Sequence, residues 1–555
     1  MTRSYLHHIQ YNWKAGLTVA FISVPLSIAL SIASGAGPIP GLITGIWATL
    51  IASFFCSNNY NIIGAAGALT TVLFAATLEA PFSLGAAILP LLAITTGILI
   101  LAIWFFKLDQ FLYYIPSSVM YGFAGGVAFL IAASQLFDAA GLSGLKRTGS
   151  FLGDITLFAK HTGDVHAPTL IVFAVTLVGI LLWKKFLTHI PAIIPASILG
   201  ILFGYLEAQF FPLNLVSLGD KFGSIAGALY APVAWSALPS FLLEKEALTW
   251  ILKVAGIITL IAVLETLITA KIADKITRTQ SSSSTELFGL GLANLGSGVM
   301  GGLPATGVFI RTGANIKAGA THKTAATIAA VATGIIALIV LPFFSFIPMA
   351  VIAACLVNTA IGLIEIEKFK EFWVHEKASF VIALIVVMIT IFEDAGIAVV
   401  VGAVLALLWF ADKISRGRFD AIFNFADGTK QDIRGEKVLH IPTEKDITVL
   451  TYSIAGFLGY IDSARHAANL RHVSHAPKVK NVIIRLRDLF SLDFEGLEML
   501  DETIAHLEHS GKRVCITSAS ATIKEQCGHM PALAGIIARG DIYAKTSDAL
   551  ARLRA

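Results

Sequence analysis

The chain has 555 residues, of which 56% are hydrophobic and only 14% charged, with a formal net charge of +4. A soluble chain carries about 25% charged residues, so the composition excludes a wholly soluble protein, and so small a net charge argues against a nucleic-acid binder. The four cysteines, Cys56, Cys355, Cys515 and Cys527, lie far apart without C-x-x-C spacing, which indicates neither a disulfide framework nor a zinc site.

Repeated apolar runs of about 18 residues or more mark a polytopic α-helical membrane protein. Fourteen segments are expected, near 13–34, 41–56, 64–79, 84–106, 112–136, 168–186, 191–209, 247–273, 285–300, 304–318, 323–344, 347–364, 378–392 and 395–412. The first starts near Trp13 with no cleavage signature after it and reads as a retained helix. Pro25 is expected to break that segment and place Leu26 and Ser27 near a central cavity, or simply to kink it. "SSSS" at 281–284 reads as a loop.

An even number of segments puts both termini on one side. Sixteen lysines and arginines fall on that side (Arg3, Lys14, Lys107, Lys184, Lys185, Lys271, Lys275, Arg278, Lys317, Lys323, Lys368, Lys370, Lys377, Lys413, Arg416 and Arg418), against five on the other (Lys146, Arg147, Lys160, Lys221 and Lys245). The positive-inside rule therefore places the termini in the cytoplasm of a cell whose inner membrane holds the protein. "FISVPLSIAL" (Phe21–Leu30) aligns with "LIAVLETLIT" (Leu260–Thr269), and "GAAGALTTV" (Gly64–Val72) with "GLPATGVFI" (Gly302–Ile310). Each pair is seven segments apart, and an odd offset inverts the second copy, as in many secondary transporters.

The stretch "GGLPATGVFIRTGANIKAG" (Gly301–Gly319) is too rich in glycine for a continuous lipid-facing helix. Backbone that leaves helical geometry inside a membrane must be buried in protein or line a cavity. An extended piece at 302–305 followed by a half-helix from about Thr306 meets that demand, and its first turn would offer free N–H groups to an anion. Gly64–Thr70 could do the same from the opposite side. Arg311, one to two turns into the half-helix, costs about 2.5–3.5 kcal/mol on insertion scales and should face the bundle or a wet cavity. It either attracts an anion or ties down loose carbonyls. Glu265 is the one acid well inside a span. A neighbouring Arg311 would favour its charged form and desolvation its neutral one, which suits a group that changes protonation during transport; the other reading is a purely architectural pair. Thr269, one turn on, shares its face.

After Lys413 the composition turns polar. Residues 413–437 read as a linker and 438–555 as a small cytoplasmic α/β domain, with strands in "DITVLTYSI", "VKNVIIRLR" and "KRVCITSA" alternating with helices.

The run "TRTQSSSSTELFGLGLANLGSGVMGGLPATGVFIRTGANIKAG" closely resembles the SulP family of anion transporters through Glu286-Leu287, Gly289, Gly291, Asn294, Gly301 to Gly307, Arg311-Thr312, Asn315 and Gly319. "AGLTVAFISVPLSIALSIASGAGPIPGL" looks like the family's opening, and residues 438–555 resemble its STAS module. The resemblance implies a 7+7 inverted repeat divided into core and gate domains, commonly dimeric, with the core moving past the gate like an elevator. It implies substrate contacts from Ala68, Leu69 and Thr70 in the third segment and from Thr306, Gly307, Val308 and Arg311 in the tenth. Glu265 matches the coupling acid. The chain departs from the family at Pro25-Leu26, where Pro-Gln is common, and at Gly64-Ala65-Ala66, where Gly-Pro-Thr is common. The loop that is phosphorylated in STAS regulators reads Asp493-Phe494-Glu495-Gly496, without a hydroxyl.

The reading is a secondary active transporter of a small inorganic or carboxylate anion (sulfate, bicarbonate or C4-dicarboxylate), coupled to protons through Glu265 and Thr269. It implies a lipid membrane, a homodimer and no nucleic acid, cofactor or metal. The alternatives are a sodium-coupled bicarbonate transporter, a nucleobase permease and a non-transporting anion sensor. No nucleophile–base pair stands in the spans, so an enzyme is not expected.

Overall fold

A computed structural model describes residues 2–80, 84–108, 110, 116–142, 144–145, 148, 150–187, 191–211, 213–223, 229–230, 244–393, 395–415, 418–435, 439–442 and 446–554. Residues 112–115 of the fifth expected span, Lys146, Arg147, Arg416 and the 437/438 domain boundary lie outside the described residues. The chain divides into two compact units, Met1–Ala406 and Leu407–Ala555.

Each expected segment coincides with a helix or half-helix, thirteen of them wholly in the first unit and the last running past Ala406. These are α1 (Thr2–Ala33), α2 (Pro38–Phe55), α3 (Gly67–Glu79), α4 (Leu89–Phe105), α5 (Ser117–Ser134), α6 (Ala167–Phe186) and α7 (Ile193–Phe210), followed by α8 (Lys245–Thr277), α9 (Ser283–Val299), α10 (Phe309–Lys317), α11 (Thr324–Phe344), α12 (Met349–Leu363), α13 (Lys377–Phe392) and α14 (Ala395–Ser415). Ten helices among the described residues are long and apolar enough to cross a membrane. Helix α1 runs unbroken through Pro25, so the expected break does not occur. The serine run is not all loop: α9 begins at Ser283, and Ser282 Oγ caps it by accepting from Thr285 N at 3.4 Å.

Packing sorts these helices into two bundles. Helix α1 lies on α11, α4 on α8 and α9, and α2 on α9 and α11, while α5 packs on α12 and α13 and α6 on α12. Small residues set the closest approaches. A Cβ on Gly97 of α4 would come within 2.8 Å of the Gly291 carbonyl on α9, and one on Gly291 would reach Leu101 at 2.7 Å. With no water to drive association, close van der Waals packing through such residues holds the helices together.

Between the half-helices runs a two-stranded antiparallel crossing of β1 (Ile63–Gly64) and β2 (Thr306–Gly307), with Ile63 opposite Gly307 and Gly64 opposite Thr306.

The second unit is an α/β fold. Strands β3 (Arg418–Phe425), β4 (Lys430–Gly435), β5 (Ile447–Leu458), β6 (Val479–Arg485), β7 (Leu489–Leu492), β8 (Arg513–Thr517) and β9 (Ile542–Tyr543) form a sheet of order β4-β3-β5-β6-β8-β9, with β7 also pairing β5. The region expected to be a linker, 413–437, therefore contributes an antiparallel hairpin to this sheet. Helices α15 (Tyr460–Ser474) and α16 (Phe494–His509) pack on each other. Beneath them Tyr452 Oη meets His466 Nδ1 at 2.8 Å, and His466 Nε2 meets Asp462 Oδ2 at 3.0 Å, a buried chain whose polar atoms satisfy one another.

Candidate functional site

The motif from Glu286 to Gly319 owes its residue types to one problem: residues 302–308 are extended inside a membrane unit, and their backbone needs partners. Gly301, at φ 87°, turns the chain out of α9 into the left-handed region that a Cβ would oppose. Leu303 N donates to Thr44 Oγ1 at 2.6 Å, and Ser297 Oγ donates to Leu303 O at 2.7 Å. Asn294 bonds both groups of Ala305, accepting from its N at 2.8 Å and donating to its O at 3.0 Å. Gly307 N donates to Thr266 Oγ1 and Val308 N to Ile62 O, both at 2.8 Å. Asn315 Nδ2 reaches Tyr60 O at 2.9 Å, and Thr312 Oγ1 accepts from Ile62 N at 3.0 Å. The Glu286 carboxylate, fully buried, accepts from Ser57 N at 2.7 Å and Asn58 N at 2.6 Å. These side chains fasten irregular backbone, and none of them lines the cavity described next.

Each strand of the crossing runs into the N-terminus of a half-helix, α3 after Ala66 and α10 after Val308, with no side-chain cap on either. The first-turn amides of α3 and α10 have no intrahelical acceptor, as at any helix start, and no side-chain cap serves them. Two uncapped N-termini give two partial positive charges, each near half an elementary charge. A cavity of about 260 Å³ opens against both, lined by Ala68 of α3 and by Phe309 and Ile310 of α10. Helix α8 adds Glu265, Ile268 and Lys271; Tyr121 and Glu365 face them. Apolar walls with a few convergent polar groups are the usual make-up of a small-ligand site.

The predicted residues divide. Ala68 and Glu265 line the cavity, and Glu265 carries a buried Oε2 without a hydrogen-bond partner. Leu69 is buried in the core, and Thr70 spends its hydroxyl on Gly67 O at 2.7 Å. Thr306 turns toward α8, where its Oγ1 donates to Ala262 O at 3.2 Å. Val308 is held by its backbone bond to Ile62, and Gly307 by side chains of α8: Thr266 Oγ1 accepts from its N, and Thr269 Oγ1 donates to Gly307 O at 3.3 Å as well as to Glu265 O at 2.7 Å, tying β2 to α8.

Of the two positions expected of it, Arg311 takes the one facing the bundle. Helix α10 starts at Phe309 and not near Thr306, so Arg311 falls in its first turn, and the register points Phe309 and Ile310 into the cavity. The guanidinium, fully buried, faces α1 and α2. Its Nη2 donates to Ser27 Oγ at 2.9 Å, while Nε and Nη1 have no partner. It makes no ion pair with Glu265. Gly45 and Gly64 form its recess, since a Cβ at Gly64 would overlap Nη1. The N-caps also show that Ala66 and Val308 are the equivalent positions, four residues away from the sequence alignment of the two stretches. Lys271, Tyr121, Glu365, Phe309 and Ile310 were missed. Only the i, i+3 spacing of Glu265, Ile268 and Lys271 on one helix face could have signalled any of them.

A model of the sulfate permease family matches residues 10–386. The chain belongs to that family. It is 26% identical over 515 residues to the putative sulfate transporter YvdB of Bacillus subtilis (strain 168), covering 92% of each chain. It is 24% identical over 530 residues to the bicarbonate transporter BicA of Synechocystis sp., covering 94% of this chain and 90% of that one. Among solved structures, SLC26A9 superposes with a TM-score of 0.78 at 14% identity over 99% of this chain and 90% of that one. The transmembrane domain of a cyanobacterial BicA superposes with 0.61 at 24% identity, over 72% of this chain and 97% of that one. This sulfate permease family member is thus an anion transporter and not an enzyme, with a mostly helical membrane unit of shared fold.

Proposed function

We propose that this family member is a proton-coupled secondary transporter of a small anion of the sulfate, bicarbonate or C4-dicarboxylate class. The carrying observation is the cavity at which the uncapped N-termini of α3 and α10 meet beside Glu265. The amides of Ala68, Phe309 and Ile310 bind the anion, Leu69 and Thr70 hold the first turn of α3 in place, and Thr306, Gly307 and Val308 hold that of α10. Arg311 acts from behind α10 as a fixed positive charge, without touching the ligand. Glu265 takes the coupling proton, since it lines the cavity and keeps a buried carboxylate oxygen without a hydrogen-bond partner. Thr269 supports it by fixing β2. Relatives named as sulfate and bicarbonate transporters support the anion class.

The same reading includes a 7+7 inverted repeat, supported by the antiparallel β1–β2 crossing and by matched pairings such as α1 with α11 and α4 with α8. It also includes an elevator movement of one bundle against the other, a homodimer in the inner membrane with cytoplasmic termini, and a STAS-type role in assembly or regulation for the C-terminal unit. In that unit Asp493 caps α16 by accepting from Gly496 N at 2.8 Å, a structural use that needs no phosphorylated hydroxyl at Phe494. Counterflow uptake of labelled sulfate, bicarbonate and fumarate in proteoliposomes, with pH and sodium gradients imposed separately, tests the reading. Accumulation driven by the pH gradient alone is expected. Uptake driven only by sodium would replace the proton, and no anion uptake would end the proposal.

A further inference from the structure

Two cavities flank α3, and their charges differ. The second, of about 160 Å³, is lined by Thr70 and Thr71 of α3 together with Ser134, Thr390, Asp154 and Glu393, and no lysine or arginine lines it. The Glu265 cavity carries Lys271 and Glu365 as well. Lys271 is therefore the only cation among the described residues lining either cavity.

Lys271 follows Glu265 by six residues, about 9 Å along the helix axis, and its side chain is exposed while Glu265 is buried. It lies at the mouth. Three contacts fix which mouth. Asn58 Nδ2 donates to Ala270 O at 3.2 Å and Asp274 Oδ1 at 3.0 Å, next to Lys271. Lys323 Nζ donates to Phe54 O at 3.2 Å and Cys56 O at 3.4 Å in the same loop. Thr321 N donates to Asn12 Oδ1 at 2.8 Å near the start of α1. The mouth is on the face that carries the N-terminus.

We infer that Lys271 and Glu365 form an opposed pair that sets anion affinity at this mouth alone, Lys271 attracting the anion and Glu365 repelling it. The inference rests on the transport reading above. A fixed cation at a low-dielectric mouth concentrates anions there, and a carboxylate on the facing wall lowers that concentration. The opposite cavity, lined by carboxylates and hydroxyls, gains nothing from either residue.

Sided kinetics test it. Half-saturating anion concentrations are measured in right-side-out and inside-out membrane vesicles, using whichever of sulfate or bicarbonate the wild type carries. Lys271→Gln is expected to raise the value at the N-terminal face about five- to tenfold and Glu365→Gln to lower it by a similar factor, as for unit charges several ångströms away in an intermediate dielectric. The other face should move less than about twofold, high salt should shrink both effects, and Lys271→Arg should restore the wild-type value. Shifts in the same direction for both variants, or equal shifts at both faces, would overturn the inference as a structural effect. Normal wild-type uptake with unmoved variants overturns this inference alone, whereas a wild type that carries no anion overturns the transport reading with it.

Discussion

Gly64 makes room for Arg311: a Cβ there would overlap the guanidinium Nη1, which packs against the β1–β2 crossing instead of reaching the cavity. The pairing ties the break in the third segment to the charge in the tenth. It also leaves a buried cation with two nitrogens unpartnered, an arrangement that costs stability and therefore calls for a functional return.

Arg311→Met tests that trade. Removing a desolvated guanidinium without a carboxylate partner should leave the melting temperature unchanged or raised, while anion affinity falls by about 1–2 kcal/mol through loss of the field behind α10. Isothermal titration and thermal unfolding of the same detergent-solubilised sample check it. Unchanged affinity would make Arg311 architectural.

Gly64→Ala should cripple transport, because the new methyl must displace the guanidinium or separate β1 from β2. Gly313→Ala is the matched control on α10. Nothing lies within 4 Å of a Cβ there, so it should be neutral or stabilise the helix by up to about 1 kcal/mol. Initial uptake rates and melting temperatures of the two variants should diverge accordingly.

Glu265→Gln keeps the shape of the cavity wall and removes the titrating group. Counterflow exchange of labelled anion should persist, and accumulation driven by a pH gradient should vanish. Retained pH-driven accumulation would assign the coupling to another group.

In the C-terminal unit, burial pushes the Cys515 and Cys527 thiols up to about 11 each. The thiolate is the reactive form, so at pH 8 almost none is present, and labelling should rise only as pH climbs toward 11 or the sheet unfolds. Maleimide incorporation at both positions, followed by mass spectrometry in native buffer and in urea, should be negligible in the first and complete in the second. Fast labelling in native buffer would mean that this core opens readily.

Much of the architecture was legible because hydropathy is a property of composition. Long apolar stretches had to leave water, and glycine-rich breaks at 64–70 and 301–307 could only be tolerated inside protein. The α/β character of the C-terminal unit followed from alternating strand and helix patterns. The hairpin at 418–435 was missed because its polar, charged sequence looks like a linker until β3 finds β5 as a partner.

The amino-acid sequence by itself determined that the chain enters a membrane, that its backbone leaves helical geometry in the two glycine-rich stretches, and that Glu265 and Arg311 are unusual charges within it. Only the tertiary structure decided which way those charges face. A nine-residue half-helix turns by about 100° per residue, so starting at Phe309 and not at Thr306 swings Arg311 away from the cavity and Ile310 into it. That start is set by where the β1–β2 pairing ends, a contact between residues more than 240 positions apart, and no local pattern encodes it.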